Sequence, residues 1–207
     1  METVRYKILL RNLGWTELWN ASGASALRFS IFSIVKLLGL DSVDPINELS
    51  FKVRPIGFED LPVKARAEAH AIRASMEDRG FKFLFAECPT SAAEIYSVYC
   101  QNDEITAQVA CRLGHRIQMT ALITVLGSGA ILVTCNDKPG INNGGLTKDL
   151  LARGKPFDQL LALHRSRYPS RDAKVLTGEQ IILQLEETCR KAFQFNLQRC
   201  VYERIGG

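Results

Sequence analysis

Between residues 81 and 136 apolar side chains recur at every second position, in runs separated by two to five residues. Period two marks a strand with one side toward a core. The pattern predicts five strands, at 81–88, 94–100, 104–113, 116–126 and 130–136, joined at Gln101-Asn102-Asp103, Gly114-His115 and Gly127-Ser128-Gly129. Links this short admit only antiparallel neighbours, because a parallel pair needs a crossover of a dozen residues or more. The chain must therefore build a meander. Ile105, Ala107, Val109, Cys111 and Leu113, with Ile117, Met119, Ala121, Ile123 and Val125, are assigned to one sheet face. Thr106, Gln108, Arg112, Gln118, Thr120 and Thr124 then make the other face polar and open to a ligand.

Helical patterns flank the meander. Residues 60–80 read as a helix capped by Asp60, with Pro62 in its first turn, Gly80 past its end, and Val63, Ala67, Ala71 and Ala74 on its packing face. A glycine-rich loop over 136–145 precedes a helical segment starting near Thr147. The last helix opens with the capping box Thr177-Gly178-Glu179-Gln180 and carries Ile181, Leu185, Cys189, Phe193, Leu197 and Val201 as a stripe. The expected fold class is α+β: a five- or six-stranded antiparallel meander, with a short strand over 49–56 at an edge, covered on one face by the 60–80 helix and the C-terminal helix. The α+β domain would span 45–207, with C-terminal helices over 147–205. The order strand, helix, meander, long C-terminal helix is similar to helix-grip ligand-binding folds, and that likeness implies ligand binding; no motif identifies a family.

The first 44 residues form a separate N-terminal helical extension. Trp15 and Trp19 lie on a helix-like stretch broken at Asn20-Ala21-Ser22-Gly23, and a second helix follows to Leu38. On a helical wheel Leu27, Ile31, Ile34, Val35 and Leu38 share one face. With Arg5, Lys7, Arg11, Arg28 and Lys36 nearby, these residues resemble an interfacial amphipathic helix, or a helix that packs on the domain or on a second copy. The longest apolar stretch, 26–40, contains Arg28 and Lys36 and is too short for a membrane span.

The formal net charge of +4 is carried entirely by 151–175, where Arg153, Lys155, Arg165, Arg167, Arg171 and Lys174 face only Asp158 and Asp172. That suits a small anionic ligand but is too little for specific nucleic-acid binding. Six cysteines include no C-x-x-C pair and none has zinc spacing to a histidine, so no metal or cofactor is expected. The chain's start lacks the apolar core of a secretory signal, so reduced cysteines and a cytoplasmic location are expected, with membrane association through the N-terminal helices as the variant.

Two functional readings follow. The first is a non-catalytic ligand- or partner-binding module, using Thr120, Thr124, Asn136, Lys138, Arg165 and Arg167 for ligand, and Trp15, Trp19, Leu27, Ile31, Ile34 and Leu38 for a protein partner, a second copy or a membrane. The second is an enzyme acting on an anionic substrate through His164, with Arg167 and the thiol of Cys135. No G-x-S-x-G, Walker or G-x-G-x-x-G sequence supports a named chemistry.

Overall fold

Alternation becomes a strand ladder in the computed structural model, which describes residues 5–21, 26–39, 46–47, 53–88, 95–112, 119–137 and 143–205. Along the chain these form β1 (Arg5–Ile8), α1 (Trp15–Ala21), α2 (Ala26–Leu37), β2 (Ile46–Asn47), β3 (Pro55–Ile56), α3 (Val63–Glu77), β4 (Lys82–Glu87), β5 (Ile95–Asn102), β6 (Ile105–Arg112), β7 (Met119–Val125), β8 (Ile131–Cys135), β9 (Thr147–Leu151), α4 (Phe157–Arg165), α5 (Gly178–Gln198) and β10 (Tyr202–Ile205). They group into two compact units. A sheet unit holds Val53–Asp137 and Thr147–Leu185; a terminal unit holds Met1–Lys52, Lys138–Leu146 and Glu186–Gly207.

The sheet unit is α+β, as the alternation requires. Its seven strands run β3-β4-β5-β6-β7-β8-β9, each antiparallel to its neighbour except β9, which lies parallel to β8. The segment beginning at Thr147, expected to be helical, is thus a strand. Eleven residues, 136–146, join β8 to β9, close to the dozen that a parallel crossover takes. Of the edge strand foreseen over 49–56, Pro55–Ile56 form β3; Val53 and Arg54 are not strand, and 49–52 lie outside the described residues.

The assignment of residues to sheet faces needs correction. β6 and β7 pair Thr106 with Ile123, Ala107 with Leu122 and Val109 with Thr120, so odd positions of one strand face even positions of the other. The two apolar alternations are therefore out of phase. Thr120, Leu122 and Thr124 share a face with Ile105, Ala107 and Val109, while Ala121, Ile123 and Val125 share the opposite face with Thr106 and Gln108. Each face is a mixture of apolar and hydroxyl side chains.

Helices α3 and α4 cover the first face. The buried residues of α3 are Ala65, Ala69, Ile72 and Met76, spaced four, three and four, and they pack with Leu160 of α4 on Val98, Ala107 and Leu122. Val63 is 76% exposed and Ala67, Ala71 and Ala74 are also outward, contrary to the expected face. The two large apolar residues set the orientation: burying Ile72 and Met76 contributes about 1.5–3 kcal/mol each, far more than alanines can. Asp60 does not cap α3; its carboxylate accepts the Gly57 N–H at 3.1 Å, and Pro62 stands at the helix start. Gly80 closes the helix at φ +79°, where a left-handed residue is required. The first turns of α5 lie on the opposite face from α3, with Ile181 buried against Phe85 and Tyr99. The expected pairing of α3 and the C-terminal helix on one face is replaced by α3 with α4. The capping box of α5 forms as expected, Thr177 N–H donating to Gln180 Oε1 at 2.9 Å and Gln180 N–H to Thr177 Oγ1 at 3.3 Å.

In the terminal unit β1 is the middle of a three-stranded sheet, β10-β1-β2, with Tyr6 opposite Arg204 and Ile46. The chain after α5 is a strand here, where continued helix was expected. α1 and α2 rest on a small core of Leu10, Leu13, Leu18 and Val201, to which α2 adds Phe32 and Val35. Arg199 grips the Glu17 carboxylate with two hydrogen bonds of 2.8 Å. Phe193 packs edge-on to Tyr6 and stacks on Tyr202.

Candidate functional site

Two places hold the residues with functional promise: a polar cluster inside the sheet unit and an apolar helix face on the terminal unit. In the first, Phe157, Leu160, Leu161 and His164 follow each other at helical spacing along α4, so the imidazole is carried inward with the leucines. His164 is fully buried. Its Nδ1 lies 2.8 Å from Thr134 Oγ1 on β8, and its Nε2 lies 3.0 Å from Thr124 Oγ1 on β7. Arg167 donates from Nη1 to Thr134 Oγ1 at 2.7 Å and to the Val133 carbonyl, and from Nη2 to the Lys148 carbonyl. Thr124 Oγ1 donates to the Glu104 carbonyl at 3.1 Å and meets the Tyr168 hydroxyl at 3.3 Å, which reaches Glu104 Oε1.

Counting donors assigns the tautomer. Thr124 has one hydroxyl proton, directed at the Glu104 carbonyl and the Tyr168 hydroxyl; spent on either, it leaves His164 Nε2 as the donor to Thr124 Oγ1. Thr134 accepts from Arg167 and passes its own proton to Nδ1. Every polar group of the cluster then has a partner, which is the condition for burying one at all. Burial, reinforced by the Arg167 guanidinium, lowers the His164 pKa to about 4, so the ring is neutral at physiological pH.

The remaining ligand and catalytic candidates separate. Thr120 is buried, and its backbone N–H donates to Asn136 Oδ1 at 2.8 Å, so Asn136 spends its side chain on extending the β7–β8 ladder. Arg165 is exposed on the outer side of α4. Lys138 lies outside the described residues, as do the Gly114-His115 turn and much of the glycine-rich loop. The helix N-terminus expected to support anion binding beyond that loop is absent, because β9 begins there. Cys135 follows Thr134 on β8, so its side chain takes the sheet face opposite His164. Burial, with Asp149 and Asp137 nearby, pushes its thiol up to about 11, well away from a thiolate. The structure does not bring Cys135 and His164 together. Beneath α5 a crevice of about 20 Å³, lined by Gln101, Glu104, Thr106, Lys174 and Gln184, has room for about one water. Among the described residues no cluster of metal-ligating side chains forms, and no helix is long and apolar enough to cross a membrane.

The second place is the outer face of α2. Phe32 and Val35 turn inward to the small core, and the helix thereby turns Leu27, Ile31, Ile34, Leu37 and Leu38 outward. These five are between 49% and 74% exposed, and Trp15 at the end of α1 is 52% exposed. Lys36 is held by its own unit: its ammonium donates to the carbonyls of Arg11 at 2.6 Å and Leu13 at 2.7 Å, beside the Trp15 ring. Trp19 is half-buried. Of the wheel's expected face, Val35 alone faces the core; Leu37 joins the outer ridge, a residue the wheel did not select.

Thr134, Tyr168 and Glu104 are the cluster members that sequence reasoning missed. The signal for His164 was available, since it stands four residues after Leu160 on the apolar stripe, but strand partners from β7 and β8 cannot be read from a local pattern. Protein-family models, curated proteins and solved structures return no match to this chain, so the layout's likeness to helix-grip folds gains no solved counterpart.

Proposed function

We propose that this chain is a non-catalytic docking module whose contact surface is the outer face of α2. One observation carries the reading: a row of large apolar side chains, Leu27, Ile31, Ile34, Leu37 and Leu38, is exposed on a helix whose opposite face already packs on its unit's core. Isolated exposed leucines are ordinary on protein surfaces, whereas a contiguous row marks a place that another molecule covers. The polar cluster gives support from the other side. Both ring nitrogens of His164 are engaged by threonines, so the one fully buried histidine among the described residues serves to fix α4 on β7 and β8.

Leu37→Trp in the Trp15→Phe/Trp19→Phe chain puts a single indole on this surface and reports on it directly. Its emission is expected to shift to the blue, and acrylamide quenching to fall, as the chain is concentrated or mixed with vesicles of neutral or anionic lipid. Emission and quenching that stay those of a half-exposed indole under all three conditions would reject the α2 face as a docking surface.

A further inference from the structure

We propose that residues 164–171 form an acid-released strap: protonation of His164 frees this segment from β7 and β8 while both of its ends stay anchored. Three side chains hold the strap inward, His164, Arg167 and Tyr168, whereas Arg165, Ser166, Pro169, Ser170 and Arg171 are exposed. Apart from that exposed proline the segment contains no aliphatic side chain, so its grip on the sheet is the polar network itself. The ends are fixed by other means. Before the strap, α4 is anchored by buried Leu160, by Phe157 with its ring centroid 5.5 Å from that of Phe81, and by Asp158 accepting from Arg79 at 2.8 Å. After it, the Gly127 N–H donates to the Asp172 carbonyl at 2.7 Å and the Lys174 N–H to the Val125 carbonyl at 2.8 Å. A segment held by few apolar contacts can open while the rest of the fold stays closed.

The network accommodates a neutral ring and no cation. His164 Nδ1 and Arg167 Nη1 both meet Thr134 Oγ1, at 2.8 Å and 2.7 Å. With the ring neutral, Thr134 accepts from the guanidinium and donates to Nδ1. A proton on Nδ1 sets two cations on one hydroxyl and takes away the acceptor of that hydroxyl's own proton. Among the described residues no carboxylate bonds the ring to offset this. Facing it are Thr124 from β7, Thr134 from β8, and Arg167 and Tyr168 from the chain after α4. Glu104, just before β6, is reached through the Tyr168 hydroxyl at 3.3 Å. Asp149 of β9 and Cys135 of β8 act on Arg167, Arg165 adds positive charge near Tyr168, and Lys148 offers its backbone carbonyl to Arg167. A released ring takes its proton near pH 6.5 and the strapped ring near pH 4, so opening is favoured as the pH falls between those values and is unchanged above them.

Amide hydrogen exchange of the full chain at about pH 7 and about pH 4.5, corrected for the intrinsic effect of pH on exchange, tests this. The amides of Ser166 and Arg167, bonded to the carbonyls of Ala162 and His164, should lose about a hundredfold of protection on acidification. At both pH values they should stay about tenfold or more below the protection of the β5 and β6 amides, the mark of an opening smaller than unfolding. His164→Leu should remove most of the acid loss. Protection of Ser166 and Arg167 equal to that of β5 and β6 means that they open only with the whole chain, which overturns the proposal. Protection indifferent to pH, or an acid loss that persists in His164→Leu, overturns it equally. If His164→Leu does not fold, the imidazole proton resonances of the wild type decide. A His164 ring that titrates together with the strap's exchange upholds the proposal, and one that titrates independently of it overturns it.

Discussion

Helices α2 and α4 invert each other. α4 takes a histidine into the interior and surrounds it with hydroxyls, while α2 leaves leucines and isoleucines facing water. Both arrangements are unfavourable unless something else supplies a partner: hydrogen bonds for a buried polar ring, an apolar surface for an exposed seam. For α4 the partner is inside the chain, in Thr124, Thr134 and Arg167. For α2 the proposed docking would supply it from another molecule. A buried polar residue with every bond made thus points to architecture, and an exposed apolar row points outward to function.

The sharpest way to break the comparison is to remove the interior partner. His164→Ala leaves a cavity and strips bonds from both threonines, and a loss of about 3–4 kcal/mol in urea unfolding is expected. A loss below about 1 kcal/mol would mean that the cluster does not hold α4. Acid gives nearly as large an effect without mutation. The ring binds its proton near pH 6.5 when unfolded and near pH 4 when folded, so the unfolded state takes up more protons between those values. Stability is full above about pH 6.5, falls by about 3 kcal/mol as the pH drops to 4, and loses nothing further from this group below that. The part of that slope due to His164 should vanish in His164→Leu, measured against the wild type by urea melts across the range. Thr134→Val leaves Nδ1 and the Arg167 guanidinium each short of a partner, at a cost of about 2 kcal/mol.

Smaller effects sharpen the contrast on the terminal unit. α5 ends with Cys200 at φ +53°, Cys200 N–H donating to Leu197 O at 2.9 Å and Val201 N–H to Asn196 O at 2.8 Å. α3 ends in the same pattern, with Gly80 at the left-handed position. Cys200→Gly should therefore stabilise the chain by about 0.5–1 kcal/mol in a thermal melt. Ile31→Ser/Ile34→Ser should lie within about 0.5 kcal/mol of wild type in dilute solution, because these side chains touch water there. A large loss would show that the α2 seam is covered within the chain itself.

The fold was legible where information is local. Alternation and short turns located β4 to β8 within a few residues, and the capping box located α5. Phase between strands was the first failure: the 106–123 pairing places odd against even residues, and only the register reveals that Thr120 and Thr124 face α4. β9 and β10 were missed because Thr147–Leu151 and Tyr202–Ile205 are short and lack alternation. Their strand character comes from partners, Ile131–Cys135 and Arg5–Ile8, that are local to neither. The buried face of α3 was misread because alanine occurs on every side of it, leaving Ile72 and Met76 to decide. Of the candidate residues, the shared face of Leu27, Ile31, Ile34 and Leu38 followed from helical spacing, though not the direction it turns, whereas the His164 cluster depends on α4, the residues just after it, and β7, β8 and β9 meeting.

The central claim is the proposed one, that α2 is a docking surface while α4 is finished within the chain, and amide hydrogen exchange in dilute solution, in concentrated solution and with lipid vesicles tests it most directly. The account predicts that residues 27–38 exchange more slowly in concentrated solution or with vesicles, while the amides of Phe157–Arg165 exchange at the same rate throughout. Exchange over residues 27–38 that changes under none of these conditions would contradict it.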